Sequence, residues 1–103
     1  MKYAKPKWYT DAGHGWLRVE TAQIFELGVV DQISPYSYLS PDGKFAYLEE
    51  DSDATPFIEA YGRDKYEAEG SAMPDQYSHR SHIRDYPDYS ADYVRERARF
   101  LGL

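Results

Sequence analysis

The sequence predicts a small α+β domain built on an antiparallel sheet, in the order strand-helix-hairpin-helix, with a further helix at the carboxyl end. Three observations predict it. Ser40-Pro41-Asp42-Gly43 separates two aromatic runs, Tyr36 to Leu39 and Lys44 to Leu48, as the turn of a hairpin. Two short amphipathic runs stop at Gly28 and Gly62, where glycine accepts the left-handed backbone that closes a helix. The chain has 103 residues, one ordinary domain with enough length to bury a single modest core.

Each element follows from its local pattern. After a polar lead containing Pro6 and the breaker group Asp11-Ala12-Gly13, His14 to Val19 alternates as a strand does, Leu17 and Val19 on one face, Trp16 and Arg18 on the other. From Glu20 the spacing changes. Ile24 and Leu27 lie three apart before Gly28, which predicts a two-turn helix whose cap folds Val29 back on Ile24. In the hairpin, Leu39 is expected opposite Phe45 and Ser37 opposite Tyr47 on one face, with Tyr38 and Ala46, and Tyr36 and Leu48, on the other. A slip of one residue would exchange those faces.

Asp51, Ser52 and Asp53 are helix-capping residues, and the run that follows places Phe57, Ile58 and Tyr61 on one side of a second short helix ended by Gly62. Lys65 to Glu69 suits either an edge strand or a helical extension, and Gly70 to Gln76 reads as loop. Tyr86-Pro87-Asp88-Tyr89 is extended or turned. Ser90 then caps a last helix with Val94, Ala98 and Leu101 in one stripe, arginines near its end and Gly102 just past it. The expected organisation is a compact domain over 1–78 and a Tyr/Arg-rich tail with its helix over 79–103.

Composition narrows the function classes. Cysteine is absent, which removes disulfides, thiolate zinc sites and cysteine nucleophiles together. No apolar run approaches the roughly 18 residues that span a bilayer, and the lysines of the amino terminus precede no apolar segment, so the expectation is a soluble, unexported protein without membrane contact. The net charge of −6 is segregated. Lys2, Lys5 and Lys7 stand at the start without an acid. Residues 42–75 carry ten acids against Lys44, Arg63 and Lys65, and the end of the chain is near balance.

Four segments carry a resemblance. Gly13-His14-Gly15-Trp16-Leu17, Ile33-Ser34 through Tyr36-Ser37-Tyr38, Tyr47-Leu48-Glu49-Glu50-Asp51 and Ile83-Arg84-Asp85-Tyr86 together resemble an uncharacterised family of small proteins encoded by bacteriophages and other bacterial mobile elements. The resemblance covers most of residues 11–89 and transfers no catalytic residue. It implies a context in which small acidic proteins bind and block a host factor, including defence nucleases such as CRISPR effectors. The final helix has no counterpart in it.

Candidate surfaces follow from residue type. Glu49, Glu50, Asp51, Asp53 and Glu59, continued by Asp64, Glu67 and Glu69, are the partner-binding candidates on charge, since carboxylates at phosphate-like spacing suit a groove built for nucleic acid. Helix capping accounts for two or three of them without any partner. Tyr86, Tyr89 and Tyr93, in a stretch with few aliphatic neighbours, are candidates for a second contact, while Tyr36, Tyr38 and Tyr47 are expected to pack within the sheet. The tyrosines, Tyr77 included, with Arg80, Arg84 and Arg95 also suit stacking on unpaired bases.

The remaining patterns are weaker. His14 between glycines lacks a placed nucleophile, so a turn before a strand accounts for it, with Trp16 in the core and Arg18 exposed. His79, His82 and Asp85 stand three apart, but without an apolar stripe they read as a solvated loop and not a metal site. The expectation is therefore a non-enzymatic inhibitor of a host protein or complex, with no cofactor, no metal and no direct nucleic-acid binding, and with the C-terminal helix as a candidate homodimer contact. The alternatives are a nucleic-acid-binding module using Tyr and Arg residues with the amino-terminal lysines, and a metal-dependent hydrolase in which the carboxylates act with His14.

Overall fold

Alternation along Gly15–Glu20 (β2) places that segment at the centre of a five-stranded sheet, with one side of it apolar and the other polar and aromatic. The structure, a computed structural model, describes residues 3–69, 75–76 and 80–103. Lys2, Tyr77, His79 and the loop expected over 70–74 lie outside the described residues. Lys7–Thr10 (β1) and Phe45–Glu49 (β4) flank β2 antiparallel, and Tyr38–Leu39 (β3) pairs with β4. Asp75–Gln76 (β5) adds a parallel edge beside Tyr9 and Thr10, where loop was expected.

Four α-helices complete the α+β fold: Thr21–Glu26 (α1), Ala54–Tyr61 (α2), Arg63–Ala68 (α3) and Ala91–Phe100 (α4). Local signals explain their ends. After α1, the Val29 N–H donates to the Ile24 carbonyl and the Gly28 N–H to that of Phe25, with Gly28 at φ +74°, so the expected cap forms. The same pair of bonds, Leu103 to Ala98 and Gly102 to Arg99, closes α4, whose first turn is capped by the Ser90 hydroxyl accepting from the Tyr93 N–H. Lys65 to Glu69 resolves as helix, its apolar contact being Tyr66 against the core.

The core lies on the face of Leu17, Val19, Ala46, Leu48 and Leu39, beneath Ile24, Phe57, Ile58 and Val94 from the helices. Fully burying side chains of this kind contributes about 1.5–3 kcal/mol each. Tyr89 belongs to this core as well. It is 4% exposed and its hydroxyl donates to the Val30 carbonyl at 2.8 Å. The expected division at residue 78 is thus no boundary in the packing: Ile83, Tyr89, Val94 and Ala98 are all buried, and α4 lies against α1.

Three local expectations change. β1 replaces part of the polar lead, because Trp8 reaches the core side opposite Leu17 while Lys7 and Tyr9 face outward, an alternation too short to read without its partner strand. The hairpin register is shifted by one, Leu39 facing Ala46 and Tyr38 facing Tyr47. The turn itself is as expected, with the Gly43 N–H donating to the Ser40 carbonyl, but Lys44 stays in the loop. Its N–H donates to Asp42, and its carbonyl accepts from the N–H and hydroxyl of the buried Thr21. Gly43, at φ +74°, also lies directly under the Tyr93 ring, where any side chain would collide with it.

The opposite face of the sheet carries a cross-strand row of Lys7, Arg18, Tyr47 and Tyr38 and a second row of Tyr9, Trp16 and Glu49. Arg18 is not a free surface residue. Its guanidinium lies 4.6 Å from the Phe45 ring centre and donates to the Tyr9 hydroxyl at 3.1 Å. Trp16 is buried, at 1% exposure, but on this face and under the His82–Asp85 turn instead of in the main core.

Candidate functional site

The first concave feature at the Trp16 end of this face is an open cleft of about 300 Å³ lined by His14, Trp16, Tyr36, Tyr38, Glu49 and Ser52, with Arg84 completing the wall. Its parts come from the start of β2, the end of β4, the turn before β3 and the 3₁₀ turn His82–Asp85.

Asp11 sets one wall. Its side chain is 1% exposed and holds Arg84 bidentately, Nε at 2.7 Å and Nη2 at 2.6 Å. It also accepts from the backbone N–H groups of Gly13, His14 and Ser81. The Arg84 guanidinium holds the Asp11 carboxyl well below the usual carboxylate range, against the opposing effect of burial, and three backbone donors add to the lowering. The clasp ties residues 73 apart and presses Arg84 toward the Trp16 ring, 5.8 Å from its centre. His14 stacks on that indole with ring centres 6.0 Å apart, and Tyr38 meets it edge-on at 6.4 Å.

The second wall is set by Asp53. The sequence suggested a helix cap, yet no side-chain cap bond forms. Asp53 is 3% exposed, and its Oδ2 accepts from the hydroxyls of Ser34 at 2.7 Å and Ser37 at 2.5 Å. Ser37 Oγ in turn accepts from the Glu49 N–H at 3.0 Å. This fastens the 34–37 turn to the end of β4 and raises Tyr36 into solvent at 80% exposure, where packing within the sheet was expected.

The expected acidic surface is accordingly divided. Glu49 lines the cleft and Glu50 and Asp51 stand exposed beside it, whereas Asp53 is withdrawn into the protein and is not available to a partner. Glu59 is exposed on α2, and Asp64 and Glu67 are exposed on α3. Glu59 pairs with Arg63 at 2.7 Å. Glu69 accepts from the Tyr61 hydroxyl; burial first, then this bond, pushes the Tyr61 pKa up to about 12. The tyrosine candidates divide too. Tyr89 is core and no contact surface, Tyr86 packs on Tyr47 and His82, and Tyr93 is 38% exposed over Gly43.

Glu49 lies between His14, whose Nδ1 is 3.8 Å from its Oε1, and Ser52, whose hydroxyl reaches its Oε2 at 3.5 Å. Among the described residues no three His, Asp or Glu side chains are grouped to hold a metal ion, and no helix is long and apolar enough to cross a membrane. Trp16 and Ser52 were not among the expected site residues, while His14 entered only through the hydrolase alternative and Tyr36, Tyr38 and Arg84 only through the base-stacking one. Strand pairing and the Asp11–Arg84 contact place Trp16, Tyr38 and Arg84 there, and no spacing in the sequence shows either. No protein-family model matches this sequence, and no curated protein or solved structure matches it either.

Proposed function

We propose that this chain is a non-enzymatic interaction protein that binds a host protein or complex in a bacterial cytoplasm, as the phage and mobile-element proteins its segments resemble are expected to do. The observation that carries the reading is the junction of an open aromatic cleft with Tyr36, Glu50 and Asp51, all three of them solvated and close to it in the chain. Exposed tyrosine beside unpaired acids is the composition of a protein contact, and a partner with Lys/Arg grooves, such as a CRISPR effector or another defence nuclease, complements it in charge. DNA mimicry narrows to Glu50 and Asp51, with Asp64 and Glu67 as a separate acidic site. A homodimer contact through α4 has Phe100, 87% exposed, and Leu101 to offer.

The nucleic-acid reading draws support from the row of Lys7, Arg18 and Tyr47 on the outer sheet. Tyr9, Tyr47 and Tyr86 are packed against one another there, at 5.8 and 5.5 Å between ring centres, which leaves less ring face for a base to stack on. Co-migration of the protein with purified candidate nucleases at low salt separates the readings. The expected result is a complex that weakens at least tenfold when Glu50→Gln and Asp51→Asn are combined, with no electrophoretic shift of single- or double-stranded DNA or RNA. A complex unaffected by the double variant, or a nucleic-acid shift in its place, overturns the proposal.

A further inference from the structure

The structure assigns a chemical class to what enters the cleft: we infer that it receives a basic side chain, arginine in preference to lysine, from the bound protein, and that an adjoining hollow receives a second. The inference rests on the binding reading above and specifies it.

The cleft has one carboxylate with unfilled capacity. Glu49 is oriented by the Asp51 N–H, which donates to Oε2 at 2.9 Å, and its side chain is only 14% exposed. Oε1 has His14 Nδ1 as its nearest basic nitrogen, at 3.8 Å, beyond hydrogen-bond distance. The carboxylate thus sits mostly out of water with an oxygen short of a donor, a state that an entering N–H group relieves. Tyr36 and Tyr38 line the same cleft, and their ring faces favour a cation over a neutral or anionic group; Trp16, 1% exposed and already against Arg84, His14 and Tyr38, lines it without an open face.

Arg84 also lines the cleft, but it does not make the cleft an anion site. Two of its nitrogens are committed to Asp11, whose charge matches it, so Glu49 is left with His14 at 3.8 Å as its nearest basic group, and Glu50 and Asp51 add negative charge outside. A planar guanidinium that stacks on tyrosine and donates two parallel bonds to a carboxylate fits this set better than an ammonium does.

Tyr36 and Tyr38 are shared with a second hollow of about 390 Å³, lined also by Pro35 and by the exposed Asp88, whose backbone bridges to Tyr38. Two hollows, each with a carboxylate, therefore flank one pair of tyrosines. The turn that carries Tyr36 is already fixed through Ser34 and Ser37 to Asp53, so a ligand does not bear the cost of ordering it.

The two tryptophans make the test internal. Trp16 forms the cleft, whereas the Trp8 indole N–H donates to the Tyr66 hydroxyl away from it. The full chain is titrated with N-acetyl-arginine methylamide, its lysine counterpart, the uncharged citrulline counterpart, acetate and phosphate, and both indole N–H resonances are followed by NMR. The expected result is a saturable shift of Trp16 and not Trp8 with arginine, weaker with lysine and absent with citrulline or the anions. An Arg-Gly-Arg peptide binds at least tenfold more tightly than the single residue.

Glu49→Gln, which keeps an oxygen for the Asp51 N–H, reduces the arginine affinity at least tenfold, and Glu96→Gln on α4 leaves it unchanged. A Trp16 that does not respond, responds equally to citrulline, or responds to acetate or phosphate overturns the inference. If nuclease binding falls with the Glu50 and Asp51 changes but survives Glu49→Gln, the cation site fails and the binding reading stands. If Trp16 responds and no protein partner co-migrates, the reverse holds.

Discussion

Asp11 and Asp53 are two acids withdrawn from water behind different walls of one cleft, and the fold satisfies them by different chemistry. Asp11 is met by a guanidinium and three backbone N–H groups, Asp53 by two serine hydroxyls. The first contact spans 73 residues and closes the C-terminal segment over the outer sheet; the second spans 16 and 19 and fixes a turn. The clasp joins segments distant in the chain through an ion pair, beside the buried Ile83 and the contact of Arg84 with Trp16. A local staple needs only geometry, because β4 and the start of α2 already stand next to it.

Removing the clasp therefore has the largest effect. Asp11→Ala leaves Arg84 without its partner and three N–H groups without their acceptor, and the expected loss is about 3 kcal/mol, the lower end for a broken pair of this kind because Arg84 keeps some water. In a domain of this size that lowers Tm by on the order of 15 °C, which thermal unfolding followed by circular dichroism measures. Asp11→Asn, which keeps an acceptor for the backbone, loses less. Equal losses from the two variants would show that the charge contributes nothing.

The same contact appears in the pH dependence. A carboxyl whose folded pKa lies below its unfolded value contributes stability that is complete above about pH 4 and is lost as the pH falls toward the folded value. Asp42 acts in the same direction, lowered by the Ser40 hydroxyl and the Lys44 N–H. The urea midpoint is thus expected to fall steeply between about pH 4 and pH 2, and to fall less steeply in Asp11→Asn. A variant with the wild-type slope would place the acid sensitivity elsewhere.

The contrast between clasp and staple also explains which features the sequence displays. Caps, glycine stops and apolar stripes are local, so α1, α2, α4 and the Ser40–Gly43 turn were legible. The hairpin register was not, because Thr21, more than twenty residues away, holds Lys44 in the loop. Tyr89 read as a surface candidate because its hydroxyl partner, Val30, lies 59 residues distant, and Asp53 read as a cap because nothing local shows its serines turning toward it. Of the cleft, Glu49 alone was expected as a partner-binding residue. The other walls are brought together by strand pairing and by Asp11 holding Arg84, contacts that no spacing reveals.

The staple predicts a smaller effect with a different signature. Asp53→Ala leaves the Ser34 and Ser37 hydroxyls without their common acceptor, and the expected loss is about 2 kcal/mol, two bonds to a charged group partly offset by water entering the site. Because the contact is local, the loss falls on the 34–37 turn instead of on the C-terminal segment. Amide exchange is expected to quicken at Ser37 and Glu49, whose N–H groups bond to the Ser34 carbonyl and the Ser37 hydroxyl, and to stay unchanged at Arg84. Asp11→Ala is expected to give the opposite pattern, with faster exchange at Ser81 and Arg84 and little change at Ser37. If both variants loosen both regions alike, the two carboxylates belong to one cooperative unit, and the distinction between long-range clasp and local staple does not hold.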